Sequence, residues 1–189
     1  MAPVGILLAA GRGRRFDPTG KRNKLLQQLP GGELVVVASA RKLLAVLPNV
    51  IAVVPPDDGG VGAALRALGC DVTVCPGADS GMAASLVHGL RHSLPQADGW
   101  LVALGDMPYV EPGTIEALCT ALESGAGIAA PVMHGRRGNP VAFGAQHLQA
   151  LLALQGDQGA RGILQSNPAT EVFVGDTGIF RDIDTDADL

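Results

Sequence analysis

Short apolar runs alternating with helix-spaced segments predict a three-layer α/β/α protein built on a mainly parallel, Rossmann-like sheet. Two observations carry this reading. Apolar runs of strand length recur at residues 4–9, 50–54, 71–75 and 100–104, each closed by glycine or proline. Segments with apolar residues at helical spacing separate them, at 34–47, 61–68 and 82–94. Strand–helix–strand order with short links implies right-handed β-α-β units, helices on both faces and parallel strands. Composition agrees. Apolar residues make up 47% of the chain and aromatics 3%, so the core must be built from Ala, Val, Leu and Ile, which suits helices packed closely on a buried sheet.

Taken in order, the first strand opens at Gly11 into a polar, glycine-bearing segment that runs to Asn23 and is too irregular for a helix. The helix at 34–47 places Leu34, Val37, Ala38, Leu43, Leu44 and Leu47 on one side and stops at Pro48. Pro55 and Pro56 end the second strand, Gly69 the next helix, Pro76 and Gly77 the third strand, and Pro95 the helix at 82–94. After the fourth strand, Glu111-Pro112-Gly113 leads into a helix at 114–122. Strands at 127–132 and 140–143 flank His134-Gly135-Arg136-Arg137-Gly138, a turn-rich link that predicts a late antiparallel addition to the sheet. Two short helices at 145–154 and 159–164 and brief strands at 172–174 and 180–183 complete the expected elements. The 189 residues show no repeat, low-complexity tract or linker, so one domain spanning 1–189 is expected. A chain of this length buries about 70% of its unfolded surface without needing a staple.

The formal net charge is −4, which speaks against a nucleic-acid-binding surface. Positive charge is nevertheless concentrated in Arg12, Arg14, Arg15, Lys21, Arg22 and Lys24. That clustering suggests a small polyanion held locally, a solvated basic loop being the plainer alternative. Cys70, Cys75 and Cys119 are odd in number and fit no zinc spacing, as expected of reduced cysteines in a reducing compartment. The opening residues carry no basic leader and no stretch reaches membrane-spanning length, so the cytoplasm is the expected location.

Ligands of open α/β sheets bind at the carboxyl ends of the strands. There the sequence places Leu8-Ala9-Ala10-Gly11-Arg12-Gly13-Arg14-Arg15, then Asp79-Ser80-Gly81, then Asp106. Glycines after a buried strand let the backbone turn sharply and aim N–H groups at phosphate oxygens; a plain tight turn is the other reading. The run is no dinucleotide fingerprint, because Phe16 holds the third glycine position, and no Walker loop, because Arg22 follows Gly20-Lys21. A carboxylate past a strand end, as at Asp106, can hold Mg²⁺. His88, His92, His134 and His147 form no ligand constellation.

LAAGRGRRF followed by Asn23-Lys24-Leu25-Leu26 resembles the signature of the MobA-like nucleotidyltransferases. The resemblance implies the nucleotide-diphospho-sugar transferase type of fold and a nucleotide-binding loop over Leu8, Ala9, Ala10, Gly11 and Gly13. It implies Arg15 and Lys24 as the cations that neutralise a triphosphate, although the long segment Asp17–Arg22 leaves Lys21 as a rival to Lys24. Leu104-Gly105-Asp106-Met107-Pro108 resembles the family's metal loop. Asp182-Ile183-Asp184-Thr185-Asp186 resembles its terminal acidic run, with Asp184 the better match and Asp182 free to face solvent. Mg²⁺ on Asp106 and Asp184 is therefore the implied cofactor.

Asp79–Leu86 resembles the family's base-reading loop. Ser80, Gly81 and Ser85 are the expected contacts or, for the serines, caps and packing, while Met82 is expected in the core. Gly138-Asn139-Pro140-Val141 and Gly156-Asp157-Gln158-Gly159-Ala160-Arg161 resemble segments of the molybdenum cofactor cytidylyltransferase branch and are expected on the acceptor side; Ala10 leans the same way. The resemblance thus implies transfer of CMP from CTP to a phosphorylated pterin, with a molybdoenzyme as a candidate partner. A same-fold transferase using GTP or a sugar phosphate, a non-catalytic cofactor carrier or insertion chaperone, and a nucleotide-dependent oxidoreductase are the alternatives.

Overall fold

The strand Val4–Leu8 (β1) sits between Val50–Val54 (β2) and Gly99–Leu104 (β4) and runs parallel to both, with Leu8 opposite Val53 and Leu104. Asp71–Val74 (β3) extends the parallel set beyond β2. A computed structural model provides these positions; it describes residues 2–11, 13, 15–157 and 159–189. Arg12, Arg14 and Gln158, together with the side chain of Arg161, lie outside the described residues.

The late antiparallel addition is present. Ile128–Met133 (β5) and Arg136–Arg137 (β6) form a hairpin, and Val141–Gly144 (β7) runs antiparallel to both β4 and β5. Thr170–Phe173 (β8) then lies parallel to β5. Ala129 faces Ala142 on one edge and Thr170 on the other, so β8 closes the far side of that strand. The expected strand at 180–183 does not form. Thr177–Phe180 is a single 3₁₀ turn, and the following backbone bonds to loops rather than to a ladder, the Ile183 N–H donating to Asp106 O at 2.9 Å.

Strand alternation divides the core between two faces. Leu7 packs with Val36 and Leu43 of Val35–Leu44 (α1), Leu65 of Val61–Leu68 (α2) and Leu118 of Pro112–Glu123 (α4). Its neighbour Ile6 packs on the other side with Leu86 and Leu90 of Met82–Ser93 (α3), Leu151 of Leu148–Leu152 (α5) and Ile163 of Arg161–Ser166 (α6). The result is the three-layer arrangement. Each such buried aliphatic contributes about 1.5–3 kcal/mol over its exposed state. No described helix is long and apolar enough to cross a membrane.

Candidate active site

Because β1 and β4 are parallel neighbours in register, Leu8 and Leu104 end at the same edge of the sheet, and the Gly105 N–H donates to Leu8 O at 2.9 Å. Asp106 therefore emerges beside the glycine-bearing loop. Gly13 has φ +57°, and a Cβ there would stand 3.2 Å from Lys24 Cγ. A left-handed residue with no side chain is what lets the loop turn and lie against that lysine. Asn23 fixes the lysine from the other side, its Oδ1 accepting from the Leu25 N–H at 3.0 Å to open the turn Lys24–Leu26. The segment between is organised by Asp17, which accepts from the Thr19 hydroxyl and N–H and from the Arg22 N–H; these bonds hold its carboxyl below the ordinary carboxylate range.

Distant charges meet here. Lys24 Nζ lies 2.6 Å from Asp106 Oδ2 and 3.6 Å from Asp184 Oδ1, and donates to Ile183 O at 3.0 Å. Arg15 reaches Asp184 Oδ2 at 2.7 Å. Lys24 and Asp106 are mostly shielded, at 11% and 19% side-chain exposure, whereas Arg15 is open at 79%. The terminal segment is held in place by Asp176. Its buried carboxylate accepts from the Glu111 N–H, the Thr114 hydroxyl and the Gly178 N–H at 2.7–2.9 Å, tying the chain before Asp182 to the start of α4.

Asp106, Asp182 and Asp184 can each offer an oxygen within 4.8 Å of the others. Asp106 Oδ1 is buried with no hydrogen-bond partner. A shielded acceptor left unmatched beside two more carboxylates fits a hard divalent cation, which takes oxygen ligands. Burial, with the charges of Asp184 and Asp106, pushes the Asp182 carboxyl above its ordinary range, the direction expected where like charges crowd in a shielded place.

A cleft of about 450 Å³ runs from Lys24 and Asp106 across Leu8, Ala10, Gly11 and Gly13 to Ala78, Asp79, Gly81, Met82, Ser85 and Asp157. At its far end the Gly156–Asp157 segment closes the start of α3, Gly156 O accepting from the Ala83 N–H at 3.1 Å.

The sequence pattern of the MobA-like NTP transferase domain matches residues 5–172. The chain belongs to the MobA-like NTP transferase family. It is similar to Rv0371c of Mycobacterium tuberculosis H37Rv at 28% identity, covering 100% of this chain and 95% of that one with a TM-score of 0.85. A complex of Rv0371c with manganese aligns at 27% identity, covering 100% and 96% of the two chains with a TM-score of 0.80. A nucleotidyl transferase from Methanothermobacter, Mth528, aligns at 26% identity, covering 99% and 94% with a TM-score of 0.81. Comparison with curated proteins finds no match.

Within this MobA-like frame, Leu8, Ala10, Gly11, Gly13, Lys24, Gly81, Ser85 and Asp106 all line the cleft. Lys24 rather than Lys21 does so; Lys21 is exposed and does not line it. Ala9 lies in the core beneath, its N–H donating to Val53 O at 2.9 Å. Ser80 is exposed and does not line the cleft. Arg15 stands against Asp184 and likewise does not line it.

Two expectations change. Met82 is not core: it is 45% exposed and lines the cleft, because it is the first residue of α3, before the helix meets the sheet. Asp182 does not simply face solvent but joins Asp106 and Asp184; the signal was its spacing of two from Asp184 with buried Ile183 between, since alternate residues of an extended segment share a side. Asp157, expected on the acceptor side, lines the same cleft as Ala78, Gly81 and Ser85. Nothing local in the sequence points it there.

Proposed function

We propose that the chain transfers a nucleoside monophosphate from a nucleoside triphosphate, CTP in preference, to a phosphorylated pterin of the molybdenum cofactor type, releasing pyrophosphate in the cytoplasm. The observation that carries the transfer reading is the meeting of Lys24, Asp106 and Asp184 beside a glycine-bearing loop. The preference for CTP and the pterin acceptor rest on the resemblance of Gly138–Val141 and Gly156–Arg161, and on Ala10. The free cysteines Cys70, Cys75 and Cys119 support a reducing compartment.

In the proposed reaction an acceptor phosphate oxygen attacks the α-phosphorus in line. The bond from that phosphorus to the bridging oxygen breaks, and the pyrophosphate leaves with the electron pair. The glycine-bearing loop at Gly11 and Gly13 receives phosphate oxygens, and Lys24 and Arg15 neutralise the charge that builds on the leaving group. Asp106, Asp182 and Asp184 would hold Mg²⁺, which when bound withdraws charge from the phosphate oxygens and orients the groups. The manganese complex of Rv0371c supports a divalent ion in this fold. Ala10 and Leu8 flank the entry from the loop towards α3, where the base would lie.

Pyrophosphate release from CTP or GTP, with and without molybdopterin, tests the proposal. Asp106→Ala is expected to abolish release while leaving the melting transition cooperative. Unchanged turnover in that variant would refute the assignment of Asp106.

A further inference from the structure

Resting on the reading of the cleft as a nucleoside triphosphate site, we infer that Asp157 selects the donor nucleotide by accepting a hydrogen bond from an exocyclic amino group on its base. The cleft has two chemically different ends. Lys24 and the loop at Gly11 and Gly13 lie at one, and Ala78, Gly81, Met82, Ser85 and Asp157 at the other. Phosphates held at the first end leave the base for the second.

Asp157 is placed there by packing rather than by its neighbours in sequence. Gly81 has φ +113°, and a Cβ on it would stand 2.6 Å from both Gly156 O and Asp157 Oδ1. Any side chain at position 81 would therefore displace the segment that carries Asp157. The start of α3 has no side-chain cap of its own; Gly156 O takes the Ala83 N–H instead. This pins the backbone beside Asp157 to the helix that floors the cleft. Among the described residues the Asp157 carboxylate makes no hydrogen bond or ion pair, so its acceptors are available to a ligand.

An ionised carboxylate can only accept. Cytosine offers it the N4 amino group, whereas uracil presents the O4 carbonyl in the same place and meets it with repulsion. Guanine offers the N2 amino group, which hypoxanthine lacks. Negative charge at this end also disfavours a nucleotide bound the wrong way round, with phosphates against Asp157.

The test is equilibrium binding in Mg²⁺ of two matched pairs, CTP with UTP and GTP with ITP, to the native chain and to Asp157→Ala and Asp157→Asn. In the native protein the amino-bearing member of one pair is expected to bind at least about tenfold tighter than its partner. The pair that shows this identifies the base. Asp157→Ala is expected to bring the ratio close to one. In the CTP–UTP pair Asp157→Asn is expected to bring UTP close to CTP, because the amide can donate to O4 as well as accept from N4. Both variants should keep the native melting transition. A native ratio retained in both variants would overturn the role of Asp157 alone. A native protein that binds none of the four nucleotides would overturn the nucleotide site itself.

Discussion

Lys24 meets Asp106 at 2.6 Å, and Arg15 meets Asp184 at 2.7 Å. The two cations proposed for a triphosphate are thus paired with two carboxylates proposed for a metal. Lys24 is the internal counter-charge for a cluster that includes Asp182, whose carboxyl is already pushed up by burial and by Asp184 and Asp106. Lys24→Met is therefore expected to lower stability in chelator by roughly 2 kcal/mol, because it leaves a shielded carboxylate without its charged partner. Divalent ion should recover more melting temperature in this variant than in the native chain. An equal or smaller gain from the ion would count against Lys24 as the counter-charge. Arg15, being exposed, contributes far less to stability from its pair.

Elements rather than single residues decide where the terminal aspartates stand. The chain after β8 folds across the loop that carries Asp106, with Asn139 N–H bonded to Ile179 O and Ile183 N–H bonded to Asp106 O. Gly178 packs against the Tyr109 backbone so closely that a Cβ would overlap its carbonyl oxygen. Asp176 is the clamp: one carboxylate serves the first residues of α4 and the 3₁₀ turn Thr177–Phe180. Asp176→Ala leaves two backbone N–H groups and the Thr114 hydroxyl without their acceptor and is expected to cost about 3 kcal/mol. Because it also frees the segment holding Asp182 and Asp184, divalent-ion affinity should fall with it. A variant of native stability would show that the clamp is dispensable. The same scale explains the missing strand at 180–183: its apolar residues predicted burial, which Ile183 has, but its backbone partners lie in loops.

For the whole molecule, the cleft joins both halves of the sheet edge, from the loop after β1 to the segment before α6. A ligand bridging these parts in the native state alone must raise the stability of the entire fold. Nucleotide at a hundred times its Kd should add about 2.7 kcal/mol, which for a chain of this size moves the melting temperature by roughly 5–10 °C. The shift is expected with Mg²⁺ present and should shrink sharply in chelator. Thermal melts with each ribonucleoside triphosphate read this directly, and no shift with any of them would contradict a nucleotide site.

Period and punctuation made the layers legible: short apolar runs of strand length, helical spacing in α1, and closing glycines or prolines were all readable along the chain. Gly11, Gly13 and Asp106 were readable as well, because each sits just past a strand end, where open sheets place ligands. What the amino-acid order determined is therefore the set of elements and the edge on which they open. The tertiary structure alone decided that Lys24 rather than Lys21 faces Asp106, that Asp182 completes the acidic cluster, and that Asp157 stands over Gly81. Those outcomes depend on contacts such as Lys24–Asp106, 82 residues apart, and local periodicity carries no information about which distant segments come to share a surface.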